Sequence, residues 1–318
     1  MDLDIFLNVR PMKDHLGLVS EFLEARGTKP DMEITSMPAL NRKIWGIGRK
    51  KLTLIGARPS NGKSALVMQL AFDISATHRV LVLSLEQTIE ETIERMFCNA
   101  MGVSNVELLK GGFGRYKPQW DIFCDMVKRR RMIITETIGK TWREIDELIS
   151  TMEEFPDLII IDYVQCISTR GINKLEVIDE YILHLRNLAI EFNFGVLMCS
   201  QINRQNVGVD NNEPTLAGLK SSGFLEELAD KALLLHWEAH QKHTADLNKF
   251  KIIIAKNKGG LTGYVNCKFE PQFYRFSDDQ TGHKAVDEER PGTLEEVKEH
   301  MDMFKAQSVK VTRRDIDG

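Results

Sequence analysis

Residues 56–64 read GARPSNGKS, directly after the apolar run LTLIGA (52–57) and directly before a helical pattern over Ser64–Thr77. A glycine-containing turn between a buried strand and a helix is the setting that a P-loop requires. In such a loop the backbone N–H groups and the helix N-terminus converge on the β- and γ-phosphates of a nucleotide. Gly62 permits close backbone approach, Lys63 supplies charge to the β/γ oxygens, and the Ser64 hydroxyl is a ligand for Mg²⁺. The candidate cradle is therefore Ala57, Arg58, Pro59, Ser60, Asn61, Gly62, Lys63, Ser64 and Ala65, with ATP and Mg²⁺ as the cofactors it implies. Ala57 departs from the general pattern, because it stands where the first glycine belongs. A surface turn that matches by chance is the bland alternative, and the strand–loop–helix setting counts against it.

Three more strand ends carry chemistry. LIIIDYVQ places Asp162 at the C-terminal end of a buried apolar run, where ligands gather in open α/β sheets. A carboxylate there supports the magnesium shell opposite Ser64. Many strands end in Asp, so the reading rests on its pairing with the P-loop. LVLSLEQ brings Glu86 to the end of the next strand, as a base that orients the attacking water. A helix-N-terminal Glu stabilised by the dipole is the alternative. VLMCSQINR ends another strand in Gln201, a neutral amide suited to sensing a γ-phosphate and relaying its loss to the loop that follows.

Working outward, short apolar runs alternate with helical patterns from Lys51 to about Phe276. The remaining runs are MIITE (132–136), KALLLHW (231–237), FKIIIAKN (250–257) and a closing hairpin, YVNCKFE and QFYRFS. Alternation of this kind predicts an α/β fold with a mostly parallel central sheet flanked by helices, and with the P-loop and the strand ends above it resembles a RecA-like P-loop NTPase. Three regions follow: 1–34, an N-terminal linker helix and connector; 35–276, the ATPase domain; and 277–318, an acidic linker and C-terminal helix. In the first, Leu16, Val19, Phe22 and Leu23 share one face of a short helix over 14–26. That face packs either on its own domain or on a neighbouring subunit. In the last, Thr293 and Glu296 form a capping box ahead of Leu294, Val297, Met301 and Phe304.

At 318 residues the chain has room for one full α/β core with modest extensions. The net charge of −4 lies wholly in the tail from Ser277, which has eleven acids against seven bases. Charge alone thus neither argues for nor excludes nucleic-acid binding by the core. No run approaches the roughly 18 apolar residues of a membrane span, and no signal peptide is evident. The five cysteines are scattered with no CxxC pair, which suits a reducing compartment. The expectation is a cytoplasmic protein of a bacterium or a phage-infected cell, with no membrane association.

With these elements in order, the chain resembles the C-terminal ATPase domain of the DnaB-family, or superfamily 4, replicative helicases. The elements are ARPSNGKS (57–64), SLEQ (84–87), IIDYVQ (160–165), SQINR (200–204), GLKSSGFLEELAD (218–230) and AKNKGG (255–260). The resemblance implies an ATP-driven homo-oligomeric ring, usually a hexamer, with nucleotide between subunits and single-stranded DNA in its channel. It implies nucleotide and metal binding by Lys63 and Ser64, catalysis by Glu86, Mg²⁺ support by Asp162 and γ-phosphate sensing by Gln201. The loops after Asp162 and after Gln201 would line the channel, with Arg204, Lys220, Ser222 and Gly223 as DNA contacts. Primase or a helicase loader is the implied partner.

Two departures qualify the resemblance. The family reaches across the interface with a Lys-x-Arg pair, whereas here the pair is Lys256 and Lys258. Lysine gives charge without the bidentate fork. The family's N-terminal collar takes about a hundred residues, whereas roughly thirty to forty precede the ATPase region in this sequence. Two other functions compete with a helicase motor: a RecA-type recombinase or mediator, and a non-motor ATP-binding accessory of a replication complex. Weaker features receive plainer readings. His236, His240 and His243 lack the partners of a metal site, KRRR (128–131) reads as a solvated helix end, and Phe273, Tyr274 and Phe276 read as core packing in a strand.

Overall fold

The computed structural model describes residues 12–24, 30–202, 213–218, 223–239 and 249–279. Five runs form parallel strands: β1 (Leu52–Ala57), β2 (Val80–Ser84), β3 (Met132–Glu136), β4 (Leu158–Asp162) and β5 (Gly195–Gln201). β6 (Lys231–His236) lies parallel to β1. Three antiparallel strands then close the sheet: β7 (Lys249–Asn257), β8 (Gly263–Glu270) and β9 (Arg275–Asp278). The nine-stranded order is β3-β2-β4-β5-β1-β6-β7-β8-β9.

Burial explains why the central strands read as unbroken apolar runs. Every residue of β1, β2, β4 and β6 is buried, because helices cover both faces of a parallel sheet. One face carries α2 (Pro38–Ile44), α3 (Lys63–Ile74), α4 (Ile89–Met101) and α6 (Lys117–Lys128) over a core layer that includes Leu66, Phe97, Phe123 and Ile160. The short helix α5 (Asn105–Leu109) precedes α6. The other face carries α7 (Trp142–Ser150), α8 (Lys174–Glu191) and α9 (Gly223–Leu228) over Ile159, Tyr181, Met198 and Leu234. Reciprocal capping boxes, Thr88 with Glu91 and Thr141 with Glu144, start α4 and α7 and fix where each chain segment turns back from its strand.

The hairpin expected at the C-terminal end of the ATPase region is β8–β9, and it curls over α3. Gln69 on α3 receives the Phe276 N–H on its Oε1 and donates to the Phe276 carbonyl, at 2.8 Å each, which pins β9 to that helix. Helix α1 (Met12–Glu24) starts two residues earlier than its sequence pattern, and its Leu16, Val19 and Leu23 are exposed. These three side chains therefore do not pack on their own domain. The histidine cluster is partly described: His236 ends β6, buried and with its pKa lowered by that burial, while His240 and His243 lie outside the described residues. The basic run departs from a simple solvated end, because Arg130 stacks 4.3 Å over the Phe72 ring and donates to the Phe72 carbonyl. Among the described residues, no helix is long and apolar enough to cross a membrane. The predicted C-terminal capping box and helix lie outside the described residues.

Candidate nucleotide site

The loop between β1 and α3 is built around two left-handed residues, Ser60 (φ 62°) and Gly62 (φ 73°). A Cβ on Gly62 would stand 2.8 Å from Phe276 Cζ and 3.2 Å from Phe269 Cζ. Glycine is therefore required here by conformation and by contact, since the loop lies directly on the β8–β9 aromatic stack. Gly62 caps α3 without any side-chain hydrogen bond, so the amides of the first turn keep no side-chain acceptor from their cap. Such amides suit an anion. Ala57, the departure from the general loop pattern, is the fully buried last residue of β1.

The β1, β2, β4 and β5 ends meet at this loop. Lys63 Nζ lies 3.2 Å from Asp162 Oδ1 and 3.7 Å above the Tyr163 ring centroid. Both charged side chains are nearly buried, so the pair is held where water screens it weakly. Lys63, Ser64, Glu86 and Gln201 line one open cavity of about 610 Å³, together with Arg58, Tyr163, Arg95 and Tyr274. Neighbouring groups stay neutral. Burial raises the Cys199 thiol well above its ordinary pKa, and Asp162 adds to that. Burial also raises the Tyr163 phenol and the Cys166 thiol, with Glu86 adding to both. The hydroxyl of Ser64 and the carboxylate of Asp162 are hard oxygen donors of the kind that holds Mg²⁺, and the uncapped amides beside Lys63 fit a polyphosphate.

Several contacts at this site carry no signal in local sequence. Gln165, three residues past Asp162, donates through Nε2 to Ser200 Oγ at 2.8 Å and accepts on Oε1 from the Gln201 N–H at 3.1 Å. It ties the segment after β4 to the end of β5. On the far side of the cavity, the Arg95 guanidinium sits 5.2 Å from the Tyr274 ring centroid. Asn105 Nδ2 donates to the Tyr274 hydroxyl at 2.8 Å, and Asn99 Nδ2 to its carbonyl. Tyr274 goes beyond the core-packing expectation: at φ 51° it turns out of the strand pattern and lines the cavity while still packing, partly buried, against the core that Phe276 enters.

Lys256 and Lys258 do not join Lys63. Lys256 pairs with Ala232 near the end of β7 and Lys258 follows that strand, whereas the P-loop follows the opposite end of β1. Lys256 Nζ donates to the carbonyls of Glu226 and Glu227, and Lys258 Nζ lies 3.9 Å from Asp230 Oδ1. Of the expected DNA contacts, Gly223 opens α9, while Arg204, Lys220 and Ser222 lie outside the described residues.

A P-loop between β1 and α3, with Asp162, Glu86 and Gln201 at the ends of neighbouring parallel strands, is the arrangement of a RecA-like P-loop ATPase domain. Within that class the chain belongs to the DnaB-like helicase C terminal domain family, whose model matches residues 34–278. It is 28% identical over 259 residues to the replicative DNA helicase DnaC of Bacillus subtilis (strain 168), covering 77% of this chain and 57% of that protein. It is 30% identical over 244 residues to a probable plasmid replicative DNA helicase of Chlamydia muridarum, covering 70% and 50%. The chain therefore spans about half the length of the curated relatives it matches. Among solved structures, a DnaB-like replicative helicase, described with its interactions with primase, superposes with a TM-score of 0.75 at 23% identity, covering 85% of this chain and 69% of that one. A second, described as an ATPase domain, superposes with a TM-score of 0.73 at 24% identity, covering 85% and 99%. At these identities the structural likeness speaks to the fold.

Proposed function

We propose that this chain is the motor of a replicative DNA helicase: it hydrolyses ATP to translocate on single-stranded DNA and unwind duplex. The carrying observation is the meeting of Lys63, Glu86 and Gln201 around one cavity, with Asp162 only 3.2 Å from the lysine. On ATP binding, Lys63 turns from Asp162 to the β/γ oxygens, which frees the carboxylate for the metal shell. Ser64 and Asp162 would hold Mg²⁺, which would supply neutralisation of the developing phosphate charge. Glu86 orients the attacking water. The base stacks against the Arg95–Tyr274 pair, where the ring offers a face and the guanidinium a cation.

Gln201 senses the γ-phosphate and passes its loss to residues 203–223, including Arg204, Lys220, Ser222 and Gly223, which grip backbone phosphates. Lys256 and Lys258 serve the nucleotide of the adjoining subunit, since their own P-loop is at the other end of the sheet. This requires a ring, a hexamer on the family pattern, and the exposed apolar residues of α1 suit docking on a neighbour. A primase or loader would engage that ring in the cytoplasm. Non-specific phosphate contacts predict strong salt dependence and little sequence preference.

The test is Mg²⁺-dependent ATP hydrolysis with and without single-stranded DNA, with Glu86→Gln as control. Stimulation that vanishes in the variant supports a DNA-dependent motor. ATP binding without DNA-stimulated turnover overturns it in favour of a non-motor accessory, and open filaments rather than closed rings favour a recombinase.

A further inference from the structure

Strand β7 sends Phe250, Ile252 and Ile254 into the core layer under α3, and simple alternation would send Lys256 the same way. The ladder with β6 slips at this point. Ala232 pairs with Lys256 and the next residue, Leu233, pairs with Ile254, so Ala255 is the extra residue of a bulge. A bulge re-aims the side chains that follow it. Lys256 consequently reaches the opposite face, where Leu225 and Ala229 of the α9 region pack in the same layer as Ala232. There its Nζ donates to the carbonyls of Glu226 and Glu227 in the last turn of α9.

Those carbonyls have no partner further along the helix and carry the negative end of its dipole, so a lysine is the side chain that suits them. Helix α9 has only six residues, too few to hold itself together, and depends on such contacts. Its first residue, Gly223, closes the segment proposed above to grip DNA. One short helix thus connects the proposed DNA grip at its start to a proposed interface lysine at its end.

We infer that Lys256 is a positioning residue: it holds α9 through the Glu226 and Glu227 carbonyls, and it releases them when it turns toward a phosphate across a subunit interface. Release of α9 then frees Gly223, its first residue and one of the proposed DNA contacts. A single ammonium shared between two acceptors makes nucleotide occupancy at one interface a lever on the DNA grip of the subunit that supplies the lysine. This rests on the ring reading, but the hold itself is a property of one subunit without nucleotide.

The experiment is amide hydrogen exchange across α9 in the full chain, without nucleotide and again with Mg²⁺ and a non-hydrolysable ATP analogue. Wild type, Lys256→Met, Lys256→Arg and Lys258→Met are compared, with thermal melting as the check on folding. In Lys256→Met without nucleotide, α9 exchange is expected to rise roughly tenfold, as hydrogen bonds to a charged donor are lost. Lys256→Arg and Lys258→Met keep wild-type protection. The analogue raises α9 exchange in wild type and adds nothing in Lys256→Met, a nucleotide response that a merely structural cap would not show. Wild-type protection in Lys256→Met overturns the hold. Protection in wild type that ignores the analogue overturns the release, and that comparison stands even if the methionine variant fails to fold. Loss of DNA-stimulated turnover is read in a separate assay, so failure of the motor reading and failure of this one are told apart.

Discussion

The ring of Phe276 lies directly against Gly62, near enough that a single methyl group on the glycine would stand 2.8 Å from Phe276 Cζ. Phe276 in turn stacks on Phe269 with ring centroids 4.3 Å apart, and Gln69 holds its backbone on both sides. The floor of the phosphate loop is thus a rigid aromatic surface that cannot retreat.

Gly62→Ala should therefore fail twice, through the strained left-handed backbone and through the ring beneath it. The expected cost is about 1–3 kcal/mol of stability, together with loss of nucleotide affinity as the loop lifts. Urea unfolding and titration with a fluorescent ATP analogue measure the two. An alanine variant with wild-type stability and affinity would show that the loop does not rest on Phe276.

Lys63 and Asp162 pair in a nearly dry setting, which separates two effects of removing the lysine. Lys63→Ala is expected to abolish nucleotide binding and also to destabilise the nucleotide-free protein by about 1–3 kcal/mol, because a buried carboxylate loses its partner. In Lys63→Ala/Asp162→Asn that second loss should be largely recovered while nucleotide binding stays absent. A double variant no more stable than the single one would contradict the pairing, and chemical denaturation decides it.

How far the sequence reached follows from what each element buries. β1, β4 and β5 are legible because parallel strands covered on both faces must be apolar throughout, and a polar residue at the end of such a run stands out, as Asp162 and Gln201 do. The pairing of Arg95 with Tyr274 was not legible, since it joins α4 to the turn before β9 across 179 positions and depends on one residue in a left-handed conformation. Lys256 illustrates the same limit. Its direction is set by a one-residue slip in the ladder, which leaves the apolar pattern of β7 unchanged.

Tyr274 offers a ring face to the cavity, fixed by Asn105 at its hydroxyl and Asn99 at its carbonyl. If it is the platform for the base, Tyr274→Ala should raise the KM for ATP by roughly tenfold or more, as loss of a base–aromatic stack of about 1–3 kcal/mol would. Turnover at saturation should change little, because the base is remote from the reacting phosphate. Tyr274→Phe keeps the ring and should stay near wild type. A fall in kcat with unchanged KM in the alanine variant would place Tyr274 outside the binding of the base.

Gln165 holds both Ser200 Oγ and the Gln201 N–H, so it joins the segments that leave β4 and β5. Gln165→Leu removes both bonds while keeping the volume. Nucleotide affinity is expected to persist, and stimulation of hydrolysis by single-stranded DNA to fall by about tenfold, the equivalent of one hydrogen bond's worth of about 1.4 kcal/mol. Gln165→Glu still accepts from the Gln201 N–H and should recover part of the stimulation. Equal loss in both variants, or loss of ATP affinity in either, would count against a relay through this amide.

Lys231 gives a pH dependence with a defined sign. Its side chain is buried beneath the end of α2, where Nζ donates to the carbonyls of Ile44 and Gly46. Burial first, with Lys51 adding to it against Asp230, lowers its pKa from 10.5 to about 8. Between those values the unfolded chain keeps a proton that the folded chain has lost, so this group makes stability rise with pH from about 8 to 10.5 and withdraws that contribution as pH falls through 8. The rise is at most about 3 kcal/mol. Lys231→Met should flatten it, and should also cost about 1–3 kcal/mol at pH 7 by stranding two buried carbonyls at a helix end. Denaturant unfolding of both proteins at pH 7, 8.5 and 10 tests this, and an unchanged slope in the methionine variant would assign the pH dependence to other groups.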